Sequence, residues 1–402
     1  MMTTVHLSSF SAILRIVFGG RLTIEYCNST ELELGGKIIS IYLEFIKPQD
    51  NNQDDYRAVT LKMLPVVKCF RETYFLEALF KNEIFMYGTI LPAYKRFEID
   101  SGISESEVLN IASVHYGSQL IPNPAIDLHG HDGRYIVLEN LQFEGYYKDD
   151  RKIGANLIHS KLGVQALAKF HSTGIAMKHN NPEEFEILKN ESTPVEVRNP
   201  QEWIEVVNNI FRMIASDSTI KQYIDSCVKL YELEKDHRTS TPLEPWTSII
   251  HGDFTILNIV FCQSPDESIP EDVKFVDFLN HAFASPLHEL ALFLATSTDQ
   301  EVFENHYDEL LDLYYETLKN RLTLFGVDAE FYSKESFDNQ YRQDARLHFS
   351  HYLTALQIIT FDLEFNEIAG NLTGFLKYSQ NERFCEKLRN IITLYDRRGW
   401  FD

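Results

Sequence analysis

The sequence predicts an α+β chain of two lobes, a β-rich N-terminal lobe followed by a mainly helical C-terminal lobe. Three observations carry this. β-Branched and aromatic residues crowd residues 37–46 (KIISIYLEFI) and 58–64 (AVTLKML), the composition of extended strands. From residue 156 onward apolar residues recur at helical spacing. Between these regimes Glu139, Asn140 and Gly145 punctuate the chain. The expected organisation is residues 1–138 as the first lobe, 139–145 as a short hinge and 146–402 as the second lobe. Lobes joined by a hinge leave a cleft, a common place for a ligand.

The elements follow in order. The polar segment 49–56 (QDNNQDDY) separates the two strands as a turn or hairpin loop. Residues 71–90 read as a helix, with Leu76, Leu79, Phe80, Ile84 and Tyr87 at three-to-four spacing and Pro92 just beyond its end. Residues 99–126 mix short apolar runs with Pro122 and Pro124, and 134–138 (RYIVL) form a buried-strand pattern. Residues 156–178 suit a helix, with Leu162, Gln165, Leu167 and Phe170 mapping its faces. Residues 203–234, 300–325 and 341–369 also read as mainly helical.

Composition narrows the function classes. The 402 residues are 44% hydrophobic and 24% charged, ordinary globular usage that excludes a disordered or collagen-like chain. Against 59 acidic residues stand 37 Lys and Arg, a net charge of −22. That balance argues against a nucleic-acid binder or a polybasic membrane-surface protein, and any anionic ligand needs local neutralisation. The cysteines Cys27, Cys69, Cys227, Cys262 and Cys385 are odd in number, widely spaced and free of C-x-x-C, so reduced thiols are expected rather than disulfides or structural zinc. The apolar run Ser11–Gly19 is interrupted by Arg15 and lacks the frame of a signal peptide. No stretch approaches the ~20 apolar residues of a membrane helix. A soluble cytoplasmic protein is expected; oligomeric state is left open.

The most informative segment is 249–261 (IIHGDFTILNIVF). His251-Gly252-Asp253 follows an apolar pair, and Asn258 lies five residues after Asp253. A strand pattern at 273–278 (VKFVDF) then carries Asp277. An Asp in a turn ordinarily satisfies backbone amides, and a strand-ending Asp is common. The joint pattern is rarer: it brings an Asp, an Asn and a second Asp to the ends of neighbouring short strands. Two oxygen ligands and one further carboxylate are what magnesium-assisted phosphoryl transfer needs. Asn258 and Asp277 are the candidate metal ligands. Asp253 is the candidate group to orient, or take the proton of, an attacking hydroxyl.

The segment resembles the protein-kinase-like phosphotransferases of small molecules, such as choline and aminoglycoside kinases. It is most similar to the ecdysteroid kinase-like family. The stretches that carry the likeness are KNEIFMYGTILP (81–92), YIVLENL (135–141), ALAKFHS (166–172), the His251–Asn258 loop, VKFVDF (273–278) and SPLHELALFLATSTD (285–299), in order over roughly residues 35–320. The resemblance implies a two-lobed protein-kinase-like fold, with a nucleotide-binding first lobe and a second lobe holding the catalytic loop and acceptor site. It implies a kinase dependent on ATP and Mg2+ that phosphorylates a hydroxyl of a small molecule, an ecdysteroid or related steroid or xenobiotic alcohol. It also implies that Lys62 contacts the nucleotide phosphates, that Glu83 pairs with it, and that the backbone of Glu139, Asn140 and Leu141 faces the adenine edge.

Departures from the family pattern are local. Gly35-Gly36-Lys37-Ile38-Ile39-Ser40 stands where the family usually has G-D-N-Y-A-S, keeping glycine and the final serine, so Gly35, Gly36 and Ser40 are the candidate phosphate-loop residues. Adjacent glycines still let backbone amides approach phosphate. Leu279 replaces a common Gln, and Glu289 replaces an Asp that braces the catalytic loop in the family. These changes keep one alternative alive, a catalytically silent kinase-like binding protein, and the acidic composition permits another, a choline- or aminoglycoside-type kinase. A protein kinase is disfavoured by the absence of H-R-D and A-P-E. For an apolar acceptor, Tyr314, Tyr315, Phe349, Tyr352, Phe361 and Phe365 are candidate pocket walls, although aromatics at helical spacing more often form core.

Overall fold

The computed structural model describes residues 13, 16–17, 22–34, 37–48, 57–64, 71–72, 75–122, 133–195, 200–237, 242–263, 269–362 and 381–402. The segment 49–56, Gly35, Gly36, Pro124 and Phe365 lie outside the described residues. The architecture is α+β, as expected, and the chain divides into two compact units. One comprises residues 1–92, 112–147 and 363–372, the other 93–111, 148–362 and 373–402.

The first unit is built on an antiparallel sheet ordered β1-β2-β3-β5-β4. Its strands are β1 (Leu22–Leu34), β2 (Lys37–Pro48), β3 (Arg57–Met63), β4 (His115–Gln119) and β5 (Tyr135–Glu139), and a two-residue strand, β6 (Tyr146–Tyr147), follows in the chain. β2, β3 and β5 are the strands their composition predicts. β1 was not: its residues LTIEYCNSTELEL mix acids with apolar residues and give no clean alternation. In the middle strand β3, Val59, Leu61 and Met63 are buried, and Lys62 lies opposite Ile41 on β2 and Ile136 on β5.

Helix α1 (Leu76–Phe85) buries Leu76, Leu79 and Phe80. The helix expected to stop before Pro92 does not stop. A π turn over Met86–Ile90 follows α1, with the Leu91 N–H reaching back to Met86 O, and α2 (Leu91–Asp100) continues through the proline. The wider π turn shifts the hydrogen-bond ladder, so Pro92 sits in the first turn of the resumed helix, where its missing N–H costs little.

The second unit takes over at Ala93. Its long helix α3 (Leu157–Asn180) is capped by the Asn156 side chain, which accepts from the Ile158 and His159 N–H groups. Gly174 lets α3 pass close to its neighbours: a Cβ there would meet Ser248 Oγ at 2.3 Å and Tyr94 Oη at 2.4 Å. Buried Glu98 fastens residues 93–111 to this unit, accepting from Leu109 N at 2.6 Å, Thr173 Oγ1 at 2.5 Å and the Arg321 guanidinium. The region expected to be mainly helical comprises α4 (Pro182–Glu191), α5 (Pro200–Ser216), α6 (Ile224–His237), α7 (Pro286–Thr296), α8 (Gln300–Asn305), α9 (Tyr307–Leu324), α10 (Lys334–Leu347), α11 (Phe349–Thr360) and α12 (Glu382–Arg397). Among the described residues no helix is long and apolar enough to cross a membrane. The aromatic residues proposed as pocket walls pack as core: Tyr314, Tyr315, Phe349, Tyr352 and Phe361 are all buried. Their hydroxyls are used internally, Tyr315 donating to Tyr332 O and Tyr352 to His288 O, each at 3.1 Å.

Candidate active site

In the first unit Lys62 and Glu83 meet, the ammonium donating to Glu83 Oε1 at 2.6 Å. Glu83 is wholly buried and the Lys62 side chain is 11% exposed. A lysine on a central strand is tolerated only with a charge partner, and the carboxylate of α1 supplies it. At the end of β5, Glu139 N donates to Val114 O at 2.8 Å, Asn140 N to Ala58 O at 3.0 Å, and Leu141 O accepts from Tyr146 N at 2.9 Å. These bonds fix the backbone of the expected hinge residues within their own unit. Ser40 lies in β2, opposite Met63 on β3 and Glu31 on β1.

In the second unit two short antiparallel pairs frame a loop. One pairs β7 (Ser248–Ile250) with β10 (Ala282–Ala284), the other β8 (Ile259–Gln263) with β9 (Pro270–Phe275). The chain leaves β7 through His251-Gly252-Asp253, closes a 3-10 turn over Ile256–Asn258 and enters β8. Gly252 has φ +81, and a Cβ there would lie 1.9 Å from Asn280 O, so geometry and crowding both demand glycine. Phe254 fills the space beneath the loop, its ring 4.8 Å from Phe275 and 5.2 Å from Phe293 between centroids.

Glu289, in the first turn of α7, is the anchor. Its Oε1 accepts from His251 N at 3.1 Å and from His171 Nε2 at 2.5 Å, and its Oε2 accepts from Gly252 N at 2.9 Å. The replacement of Asp by Glu therefore leaves the brace in place. His171, on α3, is positioned in turn by Tyr314 Oη, 2.8 Å from Nδ1. Burial holds the Tyr314 phenol far above its ordinary range, with the Glu289 and Asp344 charges adding to it.

His251 locks the loop to the next strand. Its Nε2 donates to Val276 O at 3.0 Å while its Nδ1 accepts from Asp253 N at 3.3 Å, which assigns the neutral Nε2–H tautomer. The Val276 N–H donates to Asn258 O at 3.0 Å. Val276 is thus held from both sides, and the residue after it is Asp277. Asp277 takes the left-handed conformation, φ 68 and ψ 53, a conformation uncommon for a residue with a side chain and typical of functional turns. Phe278 behind it is buried, its ring 4.6 Å from that of His251. Leu279 is core as well.

Asn258 turns its amide nitrogen to Asp253, donating to Asp253 O at 2.9 Å and to Asp253 Oδ2 at 3.1 Å. Its amide oxygen is directed away from that carboxylate. Asp253 and Asp277 are half-buried and Asn258 is buried. An amide oxygen and a carboxylate are hard oxygen donors, the set magnesium prefers. The structure therefore brings Asp253, Asn258 and the backbone preceding Asp277 into one bonded constellation. Sequence reasoning assigned no role to His171. Its signal was there: a titratable side chain in an apolar helix stretch needs a buried partner.

Among solved structures, the chain is similar to amicoumacin kinase hAmiN in complex with AMP-PNP, Ca2+ and Ami, at 10% identity and TM-score 0.44, over 94% of this chain and 96% of that one. It is also similar to a Plasmodium vivax ethanolamine kinase, at 12% identity and TM-score 0.35, over 96% and 88% of the two chains. The GDP and kanamycin complex of APH(2")-IIia matches at 12% identity and TM-score 0.38, over 87% and 96%. No curated protein matches significantly. A sequence profile of the ecdysteroid kinase-like family matches residues 34–327, a span holding both Lys62–Glu83 and the loop anchored by Glu289, and the chain belongs to that family.

Proposed function

We propose that this chain is an ATP-dependent kinase that phosphorylates a hydroxyl group of a small molecule. The observation that carries the reading is the His251–Asn258 loop. Glu289 holds its backbone, His251 ties it to Val276, and Asn258 positions the Asp253 carboxylate. Asp253 would orient an acceptor hydroxyl and take its proton as the oxygen attacks the terminal phosphate. Asn258 and Asp277 would hold magnesium, which when bound supplies positive charge to the phosphate oxygens. Lys62, kept pointed by Glu83, would take phosphate charge in the first unit. The family's name makes an ecdysteroid or a related steroid or xenobiotic alcohol the first acceptor to try.

The test uses the full-length chain, radiolabelled ATP and magnesium with a panel of ecdysteroid, choline and aminoglycoside acceptors. Transfer to one acceptor class is expected. Asp253→Asn should reduce turnover by about 10²–10⁴-fold, with nucleotide binding retained. Turnover within a factor of a few of wild type in that variant would remove Asp253 from the mechanism.

A further inference from the structure

Beside the anchor of the loop, the second unit gathers three histidines from two places in the sequence. His288 is the third residue of α7, His348 joins α10 to α11, and His351 lies in the first turn of α11. One ring nitrogen from each lies within 4.8 Å of the others. His288 Nε2 and His351 Nδ1 are 3.3 Å apart. The His288 and His348 ring centroids lie 3.9 Å apart, their planes tilted by 36°. His288 is buried, while His348 and His351 are half-buried.

We propose that His288, His348 and His351 form a binding site for a divalent metal ion of the zinc class. Tetrahedral zinc with Zn–N of about 2.0–2.1 Å sets neighbouring ligand nitrogens about 3.3–3.4 Å apart. The His288–His351 pair already has that spacing. Rotation of half-buried His348 would bring its ring nitrogen, within 4.8 Å of the other two, to the same spacing. Three protein ligands leave a fourth position for water or an incoming group.

The backbone that carries the trio is fixed. His288 sits on the fully buried helix α7, and its carbonyl accepts from Tyr352 Oη at 3.1 Å. His348 N donates to Asp344 O at 3.1 Å. Such support lets a site form with little reorganisation. Its donors also separate it from the oxygen set of Asn258 and Asp277, since imidazole suits zinc, copper, nickel and cobalt whereas magnesium takes oxygen. His288 immediately precedes Glu289, so an occupied site would stiffen the turn that holds the His251–Gly252 backbone.

The experiment titrates the chelator-treated full-length chain with Co2+ and reads its visible spectrum. The expected result is one equivalent of tetrahedral Co2+ absorption, displaced by Zn2+ and unaffected by excess Mg2+. His348→Gln and His351→Gln, at half-buried positions, should each weaken Co2+ binding at least tenfold while circular dichroism stays that of wild type. If one variant misfolds, the other decides. Absence of the tetrahedral band in wild type, or a band that persists unchanged in a folded variant, would overturn the site. None of these readouts depends on kinase activity, so the site and the proposed reaction stand or fall separately.

Discussion

At the scale of single residues, Glu289 does the most. From the first turn of α7 one carboxylate satisfies two successive backbone N–H groups and a histidine, where hydrogen bonds to a charged acceptor contribute about 1.5–3 kcal/mol each. The helix N-terminus adds a favourable field. Glu289→Gln keeps the volume but turns an NH2 group toward a donor. Equilibrium denaturation should show a loss of about 3 kcal/mol, and kcat should fall more than KM changes, because the loop holding Asp253 loses its anchor. Glu289→Asp, the residue usual in the family, should cost less. A denaturation midpoint unchanged by Glu289→Gln would show that the loop is held by other means. The local grouping of this loop was legible in the sequence because His251, Gly252, Asp253 and Asn258 are nearly contiguous. What could not be read was the long-range support. His171 and Tyr314 lie 118 and 25 residues from Glu289 in the chain, and Tyr314, a candidate pocket wall with core as the commoner alternative, is core and orients His171.

Elements were legible where one signal acted alone. The strand-forming composition of β2, β3 and β5 and the apolar periodicity of α3 were sufficient. They failed where tertiary packing overrides local preference: β1 carries three glutamates yet pairs along its length with β2, and α2 runs through Pro92 because a π turn precedes it. The turn after β9 shows the same dependence on context. His281 is wholly buried there, and burial pushes its imidazole down to about 4 against the upward pull of the Phe278 carbonyl. The folded state therefore keeps His281 neutral while the unfolded chain binds a proton below pH of about 6.5. The sign follows: this histidine stabilises the fold fully above about pH 6.5, and the contribution is lost as pH falls toward 4. The slope approaches about 1.4 kcal/mol per pH unit within that window. Urea denaturation of wild type and His281→Gln across pH 4–7 should show a shallower acid loss in the variant. Parallel curves would mean that His281 does not titrate between the two states.

At the scale of the whole molecule, a net charge of −22 repels the anionic nucleotide of the proposed reaction, so affinity must come from local cations. Lys62, held almost fully buried against Glu83, is the candidate cation of the first unit. This gives a comparison that separates an enzyme from a silent binding protein. Nucleotide with magnesium at a hundredfold excess over Kd should stabilise the wild-type chain by about 2.7 kcal/mol, read as a rise in Tm. Lys62→Met should lose most of that rise, each variant being measured against its own nucleotide-free Tm, because removing the lysine also breaks the buried ion pair with Glu83. Asp253→Asn should keep the rise, since in the proposed reaction its carboxylate would act on the acceptor and not on the nucleotide. Stabilisation of wild type without transfer to any acceptor class would identify a binding protein that retains the fold. No stabilisation at millimolar nucleotide would reject the nucleotide itself. Stabilisation shared by wild type and Asp253→Asn, lost in Lys62→Met and accompanied by turnover in wild type alone, is the pattern a kinase requires.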